Sequence, residues 1–427
     1  MAGTTVEWYD FFLYGVAAAV VFPAVFFPSD DPAVGTLLAL GTFAIGFVAR
    51  PIGGLVFGHY GDLIGRKKLL VISLLMMGVA TFAIGLLPGY ATIGVAAPLL
   101  LIVLRLVQGF ALGGEWGGAV LLVSEHGDAA RRGYWASLPQ AGVPIGQLLA
   151  NGLLFLLAAV QDEQSFASWG WRIPFLLSAV LVLIGLYVRL SVEESPVFKA
   201  AQAKAAELAA AGQKESMPIV EVFRRYPREV FTAMGARFAE NVSYYVFTIV
   251  ITTYVTQRLD LSSSFVLGAV LISAAVHVVT IPIWGALSDR FGRKPVYLFG
   301  AAGVGVWAFV FIALVDTGNF ALTVLAVAGG LMFHGAMYGP QAAFLSELFG
   351  TKVRYSGVSI GYQLASVAAG GLAPVIAVAL YTQFDSGYAV SVYVALTALL
   401  TIVAVASYGE TRHRDLAEDP ALTRVRH

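Results

Sequence analysis

The chain has 427 residues, of which 58% are hydrophobic and only 12% charged, and its mean hydropathy is strongly positive. A charged share about half that of a soluble protein places it in a lipid bilayer. Zero net charge gives no case for a nucleic-acid partner, and the absence of cysteine excludes disulfides, thiolate metal sites and a cysteine nucleophile.

Apolar runs of about 20 residues, the length that crosses the hydrocarbon core as a helix, recur along the whole chain. They predict twelve helical spans, near 4–28, 35–60, 69–88, 97–123, 133–160, 172–190, 229–256, 264–288, 295–315, 319–346, 355–381 and 388–408. Strands of a membrane barrel would be shorter and alternating. The first span opens with "EWYDFFLYG", which sets Glu7 and Asp10 inside it. No basic segment or cleavage site precedes it, so no signal peptide is expected; the first basic residue is Arg50, and a few further residues ahead of Met1 are expected in the natural protein. Between the sixth and seventh spans lies the one long polar stretch, whose "KAAQAKAAELAAAGQK" is helix-prone. The expected plan is an all-α membrane protein with a six-helix bundle over 1–190, a linker over 191–228, a second bundle over 229–408 and a tail over 409–427.

All but five of the 26 Lys and Arg residues (Arg50, Arg105, Arg172, Arg237 and Arg258) cluster in alternate loops, the linker and the tail. By the positive-inside rule those loops and both termini are cytoplasmic, in a multi-pass protein of the cell membrane. The two halves also repeat. "GHYGDLIGRKK" from Gly58 returns as "GALSDRFGRKP" from Gly285, which pairs Asp62, Arg66 and Lys67 with Asp289, Arg293 and Lys294. "SEHGDAARRG" returns as "SELFGTKVRYSG", which pairs Glu125 with Glu347 and Arg132 with Arg354. Parallel repeats are a transporter plan, with the substrate held near mid-membrane between the halves.

The Gly-x-x-x-Asp-x-x-Gly-Arg-Lys loop and its echo resemble the signature of the major facilitator superfamily. "EWYDFFLYG", "RPIGG", "LRLVQGFALGGEWGGA", "WGWRIPF", "EESP" and "VRYSGVSIGYQLAS" resemble its metabolite:proton symporter branch, whose members carry shikimate, α-ketoglutarate, citrate, or proline and betaines. Within that branch the chain is most similar to shikimate transporters. The resemblance implies alternating access, proton coupling and a first-helix carboxylate set against a fourth-helix arginine.

A charge at the bilayer centre costs roughly 2.5–3.5 kcal/mol on insertion scales, so intramembrane ions face a cavity or one another. Asp10 on the first span and Arg105 on the fourth lie at depths that let them meet, and making or breaking such a pair changes the acid's proton affinity. Asp10 is therefore expected as the coupling acid and Arg105 as its partner or as a ligand of an anionic substrate; the alternative is a static pair that pins two helices. Glu7 and Glu115 are the further proton-coupling candidates, Glu115 doubling as a structural partner of Arg50. Tyr14 and Gln108 share faces with these acids and bases.

On the seventh span Arg237, Glu240, Asn241, Tyr244, Tyr245 and Thr248 form one polar stripe at helical spacing, as a cavity lining would. Gln140 and Gln147 on the fifth span, His334, Tyr338 and Gln341 on the tenth and Gln363 on the eleventh are the other substrate candidates. His277 is read as a neutral packed residue. The loop charges Asp62, Arg66, Lys67, Glu125, Arg132, Asp289, Arg293, Glu347 and Arg354 are read as a cytoplasmic gate of ion pairs. Glycines at 109, 113 and 117, and at 114 and 118, form a ridge for close helix packing.

No enzyme is indicated: "GAAGVG" at Gly300 lies inside a span rather than after a strand, and no hydrolase or zincin pattern occurs. No cofactor or metal is expected. The partners are a small-molecule substrate, protons and the bilayer, and a monomer is expected. The sequence reading is proton-coupled uptake of a small organic acid such as shikimate or a dicarboxylate, with a zwitterion such as proline or betaine as the alternative. A proton-driven exporter and a non-transporting sensor rank below both.

Overall fold

The computed structural model describes residues 2–64, 66–113, 128–191, 218–350 and 353–414. Twelve long helices run through these residues: α1 (Ala2–Val20), α2 (Pro32–Ile64), α3 (Arg66–Leu86), α4 (Ala96–Gly113), α5 (Arg132–Val160), α6 (Arg172–Ser191), α7 (Pro227–Tyr245), α8 (Ser263–Phe291), α9 (Arg293–Val315), α10 (Phe320–Leu348), α11 (Arg354–Ala365) and α12 (Tyr388–Ala406). No strand occurs among the described residues. The chain of α7 continues through a π-turn, Val246–Val250, into Ile251–Gln257, and that of α11 through Ser366–Gly371 into Ala373–Phe384. Of the expected linker only the last part is described, a short helix over Pro218–Arg225; the Ala-rich core lies outside the described residues.

The helices begin and end where local chemistry dictates. Ser262 and Asn319 cap α8 and α10 by accepting the backbone N–H groups of Phe265 and Leu322. Gly292, with φ of 104°, makes the sharp turn between α8 and α9 that a residue with a Cβ would resist. Among the described residues, nine helices are long and apolar enough to cross a membrane. The exceptions are informative: the apolar part of α3 is limited to Val71–Leu86, while α1 and α7 carry the buried charges Glu7, Asp10, Arg237 and Glu240. Side chains such as Val79, Tyr187, Phe231 and Val306 face outward and the polar groups face inward, the inverse of a soluble protein.

Contacts between the first six helices and the last six follow a pattern. α5 packs along α8 and against α10, α2 packs on α11, and α1 meets the later part of α7. The helices with internal proline are α2 (Pro51), α5 (Pro139 and Pro144), α8 (Pro282) and α10 (Pro340), all on this seam. Proline removes a backbone hydrogen bond and bends a helix, and the π-turns of α7 and α11 do the same by another route.

Small residues set how closely the helices approach. A Cβ on Gly109 of α4 would stand 1.9 Å from the carbonyl oxygen of Gly46 on α2, and one on Gly113 would stand 2.0 Å from that of Arg50. The expected ridge is thus real over Gly109 and Gly113, while 114, 117 and 118 lie outside the described residues. Because backbone cannot yield as a side-chain tip does, Gly109→Val should destabilise the protein by about 3 kcal/mol. A lower thermal midpoint in detergent, with little change for Gly41→Val, where a Cβ meets nothing within 4 Å, is the expected result; equal midpoints for the two variants would contradict the contact.

Candidate functional site

Two buried polar clusters lie at the seam between the two sets of helices. In the first, α1 turns Asp10 inward beside Glu7, and both are buried. The Thr81 hydroxyl of α3 is a polar neighbour of the Asp10 carboxyl and donates to the Met77 carbonyl of its own helix at 2.9 Å, and Asp10 Oδ1 has no hydrogen-bond partner. Thr81 also accepts from Gln108 Nε2 at 2.8 Å, and Gln108 Oε1 accepts from Arg105 Nη1 at 3.0 Å. The direct Asp10 to Arg105 pair expected from sequence is therefore not formed: Thr81 and Gln108 stand between the two.

Arg105 has an unusual setting for a cation. Its guanidinium lies 4.1 Å from the ring centre of Tyr14, 4.9 Å from Phe43 and 5.0 Å from Phe11, in the space that the absent side chain of Gly46 leaves. Its Nε and Nη2, which form one edge of the guanidinium, have no hydrogen-bond partner. No carboxylate stands within ion-pair distance of it among the described residues. Arg50 packs in the same way over Phe47 at 4.1 Å and Phe11 at 4.6 Å, with Tyr245 as a hydrogen-bonding neighbour. Its expected partner Glu115 lies outside the described residues. The Tyr14 hydroxyl, expected on substrate, is shared with Thr42 at 2.6 Å.

In the second cluster the stripe on α7 points inward as predicted, and α10 completes it. Arg237 Nη1 pairs with Glu240 Oε2 at 2.6 Å and donates to Gln341 Oε1 at 2.8 Å, while Nη2 donates to Asn241 and Ser366. The guanidinium also stacks 3.5 Å from the Tyr362 ring centre. Glu240 accepts further from Gln341 Nε2 at 3.2 Å and lies 3.3 Å from His334 Nε2. Arg237 is thus neutralised within its own helix, unlike Arg105.

Three of the expected substrate ligands tie the halves together instead. Gln140 Nε2 donates to the Tyr338 carbonyl at 2.8 Å, Gln363 Nε2 to the Gly113 carbonyl at 3.1 Å, and the Tyr244 hydroxyl to Gln147 Oε1 at 2.7 Å. Thr248 bonds back to the Tyr244 carbonyl of its own helix. The Tyr338 hydroxyl has no partner.

At the arginine-rich end a network joins the two sets of helices. Asp289, at the end of α8, accepts the backbone N–H groups of Gly133 and Tyr134 at 2.8 and 2.9 Å, in the first turn of α5, where a helix favours an anion. Arg293 pairs with Asp289 at 2.7 Å and with Glu347 at 3.2 Å, and Arg132 reaches Glu347 at 3.2 Å. The pairing crosses the repeat: Glu347 takes the arginine of the other half, whereas Arg354 donates its Nε to the Ser346 and Phe349 carbonyls. The side chains of Asp62, Arg66 and Lys67, and Glu125 altogether, lie outside the described residues. The segment after α12, expected as mere tail, belongs to this network: Thr411 donates to Glu347 at 2.6 Å, and Glu410 accepts the N–H groups of Arg293 and Lys294 at the start of α9. Burial opposes the charge of Glu410, yet those bonds and two more from Thr411 and Arg412 hold its carboxyl below the usual carboxylate range. The opposite end is tied by Gln257 to Thr36 at 2.6 Å and, within the later helices, by Arg258 with Asp385.

Sequence reasoning passed over Thr81, the role of His277 beside His334, and the segment 408–414. Thr81 is one hydroxyl in an apolar run and carries no signal alone; His277 carried one, since an ionisable group in a span is a functional candidate by default.

The sequence matches the family described as sugar (and other) transporter over residues 1–422. It is 43% identical over 421 residues to the inner membrane metabolite transport protein YhjE of Escherichia coli strain K12, which covers 97% of this chain and 94% of the relative. It is 41% identical over 408 residues to the shikimate transporter of the same organism, covering 93% and 92%. The fold is similar to the partially occluded inward-open xylose transporter XylE from E. coli, with a TM-score of 0.70 at 19% identity over 97% of this chain and 99% of that one.

The arginine-rich network generates a test that needs no substrate. Asp289→Ala removes three charge-assisted bonds that join α8 to α5 and α9, so the seam there should open. A single cysteine in place of buried Ala136, clean because the chain has no other, should react with a maleimide about tenfold faster or more in the Asp289→Ala background. An unchanged labelling rate would show that Asp289 holds nothing closed.

Proposed function

Because this chain belongs to the major facilitator superfamily of membrane transporters, we propose that it is a monomeric proton-coupled importer of a small carboxylate, shikimate or a dicarboxylate, in the cytoplasmic membrane with both termini inside. The observation that carries this reading is Arg105. An uncompensated buried charge costs several kcal/mol, and this one presents two unmet donors along a single edge, the form that grips a carboxylate with two parallel bonds. The 41% identity to a protein described as a shikimate transporter supports the same substrate class.

The zwitterion alternative fits less well. A quaternary ammonium seeks aromatic faces, and the faces of Phe11, Phe43, Phe47 and Tyr14 already hold the guanidiniums of Arg50 and Arg105. Proton coupling is assigned to Asp10, with Glu7 one turn away and Glu115 in reserve. A substrate carboxylate on the Nε and Nη2 edge of Arg105 draws on the charge that its Nη1 shares with Gln108, and the change passes through Gln108 and Thr81 towards Asp10. Substrate is held between that arginine and the α7 and α10 side chains Asn241, Tyr338 and Gln341. The network of Asp289, Arg293, Glu347, Arg132 and Arg354, with Asp62, Arg66, Lys67 and Glu125 as its counterparts, is the cytoplasmic gate that parts when the halves rock. Transport then needs no bond-making chemistry, in keeping with a family whose members are not enzymes.

Proteoliposome uptake of labelled shikimate, α-ketoglutarate, proline and glycine betaine, with and without an imposed pH gradient, tests the reading. Gradient-driven accumulation of a carboxylate is expected. Asp10→Asn should abolish accumulation while sparing exchange at equal concentrations, and Arg105→Lys should raise the half-saturating concentration about tenfold or more by losing the two-bond grip. Accumulation of betaine but of no acid, or full accumulation by Asp10→Asn, would refute it.

A further inference from the structure

Beside Glu240, on the side away from Arg237, stand two histidines that the assigned coupling acid does not use. His334 of α10 places Nε2 3.3 Å from Glu240 Oε1 and Nδ1 3.0 Å from Nε2 of His277 on α8. Both rings are buried, and their centres are 4.9 Å apart. The far atom, His277 Nδ1, is buried with no hydrogen-bond partner.

The protons in this row follow from the network. Glu240 is ion-paired to Arg237 and accepts only, so His334 donates from Nε2. With that proton placed, a neutral His334 accepts at Nδ1, so His277 donates from Nε2. His277 Nδ1 is then a bare lone pair at the end of an oriented chain of donors.

We propose that His277, His334 and Glu240 form a proton wire whose loading neutralises Glu240 and releases Arg237 as a second cation for the substrate. The proposal rests on the proton-coupled reading above and adds to it a second loading site, in the later six helices. A proton that binds His277 Nδ1 is matched by transfer of the Nε2 proton of His277 to His334 Nδ1, and of the Nε2 proton of His334 to Glu240 Oε1. One proton enters, both rings end neutral with hydrogen on Nδ1, and the carboxylate becomes the acid. Arg237 keeps Gln341, Asn241 and Ser366 but loses its counter-charge.

The groups that face this row agree with the assignment. Arg237 is the cation beside it on α7; Tyr297 of α9, Tyr338 of α10, Tyr362 of α11 and Tyr244 and Tyr245 of α7 are the other titratable groups. The Tyr244 ring lies 4.8 Å from His334 and 5.8 Å from His277, and its hydroxyl holds Gln147 on α5. A positive charge in transit therefore passes an aromatic ring that ties the two sets of helices together. His277 sits on α8, which packs along α5, so parting of those helices is what gives water access to Nδ1.

Infrared difference spectroscopy after a downward pH jump, on the purified full-length protein with no substrate present, tests the wire. The protonated-carboxyl signal of the wild type should contain one band that is missing in Glu240→Gln, the signals of Asp10 and of the surface acids being common to both. His277→Gln and His334→Gln keep a donor where the ring nitrogen was but pass no proton, so the same band should form about tenfold more slowly or worse. Gel filtration and helix content check that each variant is folded. Identical carboxyl signals in the wild type and Glu240→Gln, or wild-type rates in both glutamine variants, would overturn the proposal. Since no transport is measured, these outcomes are independent of whether uptake of any acid is found.

Discussion

A guanidinium inside a lipid-embedded bundle has no water to answer it, so the protein must supply whatever compensates its charge. Two of the buried arginines are treated differently. Arg237 is wrapped by Glu240, Gln341, Asn241, Ser366 and a tyrosine ring. Arg105 receives one glutamine and three aromatic rings, with no acid within ion-pair distance among the described residues. Cation–π contacts in a desolvated setting are worth about 2 kcal/mol, which holds the side chain in place without cancelling its charge. The remaining field is available to an anion that comes and goes, which a resident carboxylate would not permit.

That asymmetry also explains why the acids lie where they do. Asp10 is separated from Arg105 by two neutral hydrogen-bonding side chains, close enough to register a change at the arginine and too far to occupy it. Glu240 occupies its arginine fully and sits at the end of a histidine row. On the proposed reading a substrate anion at Arg105 is coupled to a proton at the acids, while the prolines and π-turns of the seam helices supply bends around which the two sets of helices can rock. Among the described residues the ties at both ends of the bundle are ionic or amide in character, so they can be exchanged as the halves move.

Much of this was legible in the sequence for a physical reason: lipid forces hydrophobic spans and forces charges to be few and purposeful. The spans and the α7 stripe from Arg237 to Tyr244 followed from that rule, and the repeat of their loops singled out Asp289, Arg293, Arg132 and Glu347, which the structure joins in one network. What was not legible depended on rotation and tilt. Asp10 and Arg105 share a depth, but only the packing of α3 against α1 and α4 inserts Thr81 between them. Gln140 and Gln363 looked like ligands because polarity in a span is a signal, yet polarity alone does not say whether the partner is a substrate or the backbone of another helix. Glu347 pairs with Arg132 of the other half as well as with Arg293 of its own because the halves meet at this end, a fact of tertiary structure. His277 looked inert in one dimension and gained a role only when α10 set His334 beside it.

The central claim is that Arg105 is a cation left open for a carboxylate. Calorimetric titration of the purified protein with shikimate, compared with its Arg105→Gln variant, reads this directly. The account predicts measurable binding to the wild type that weakens by about a hundredfold in the variant, the loss of a charge-assisted two-bond contact of about 3 kcal/mol. Equal affinity for the two proteins would contradict it.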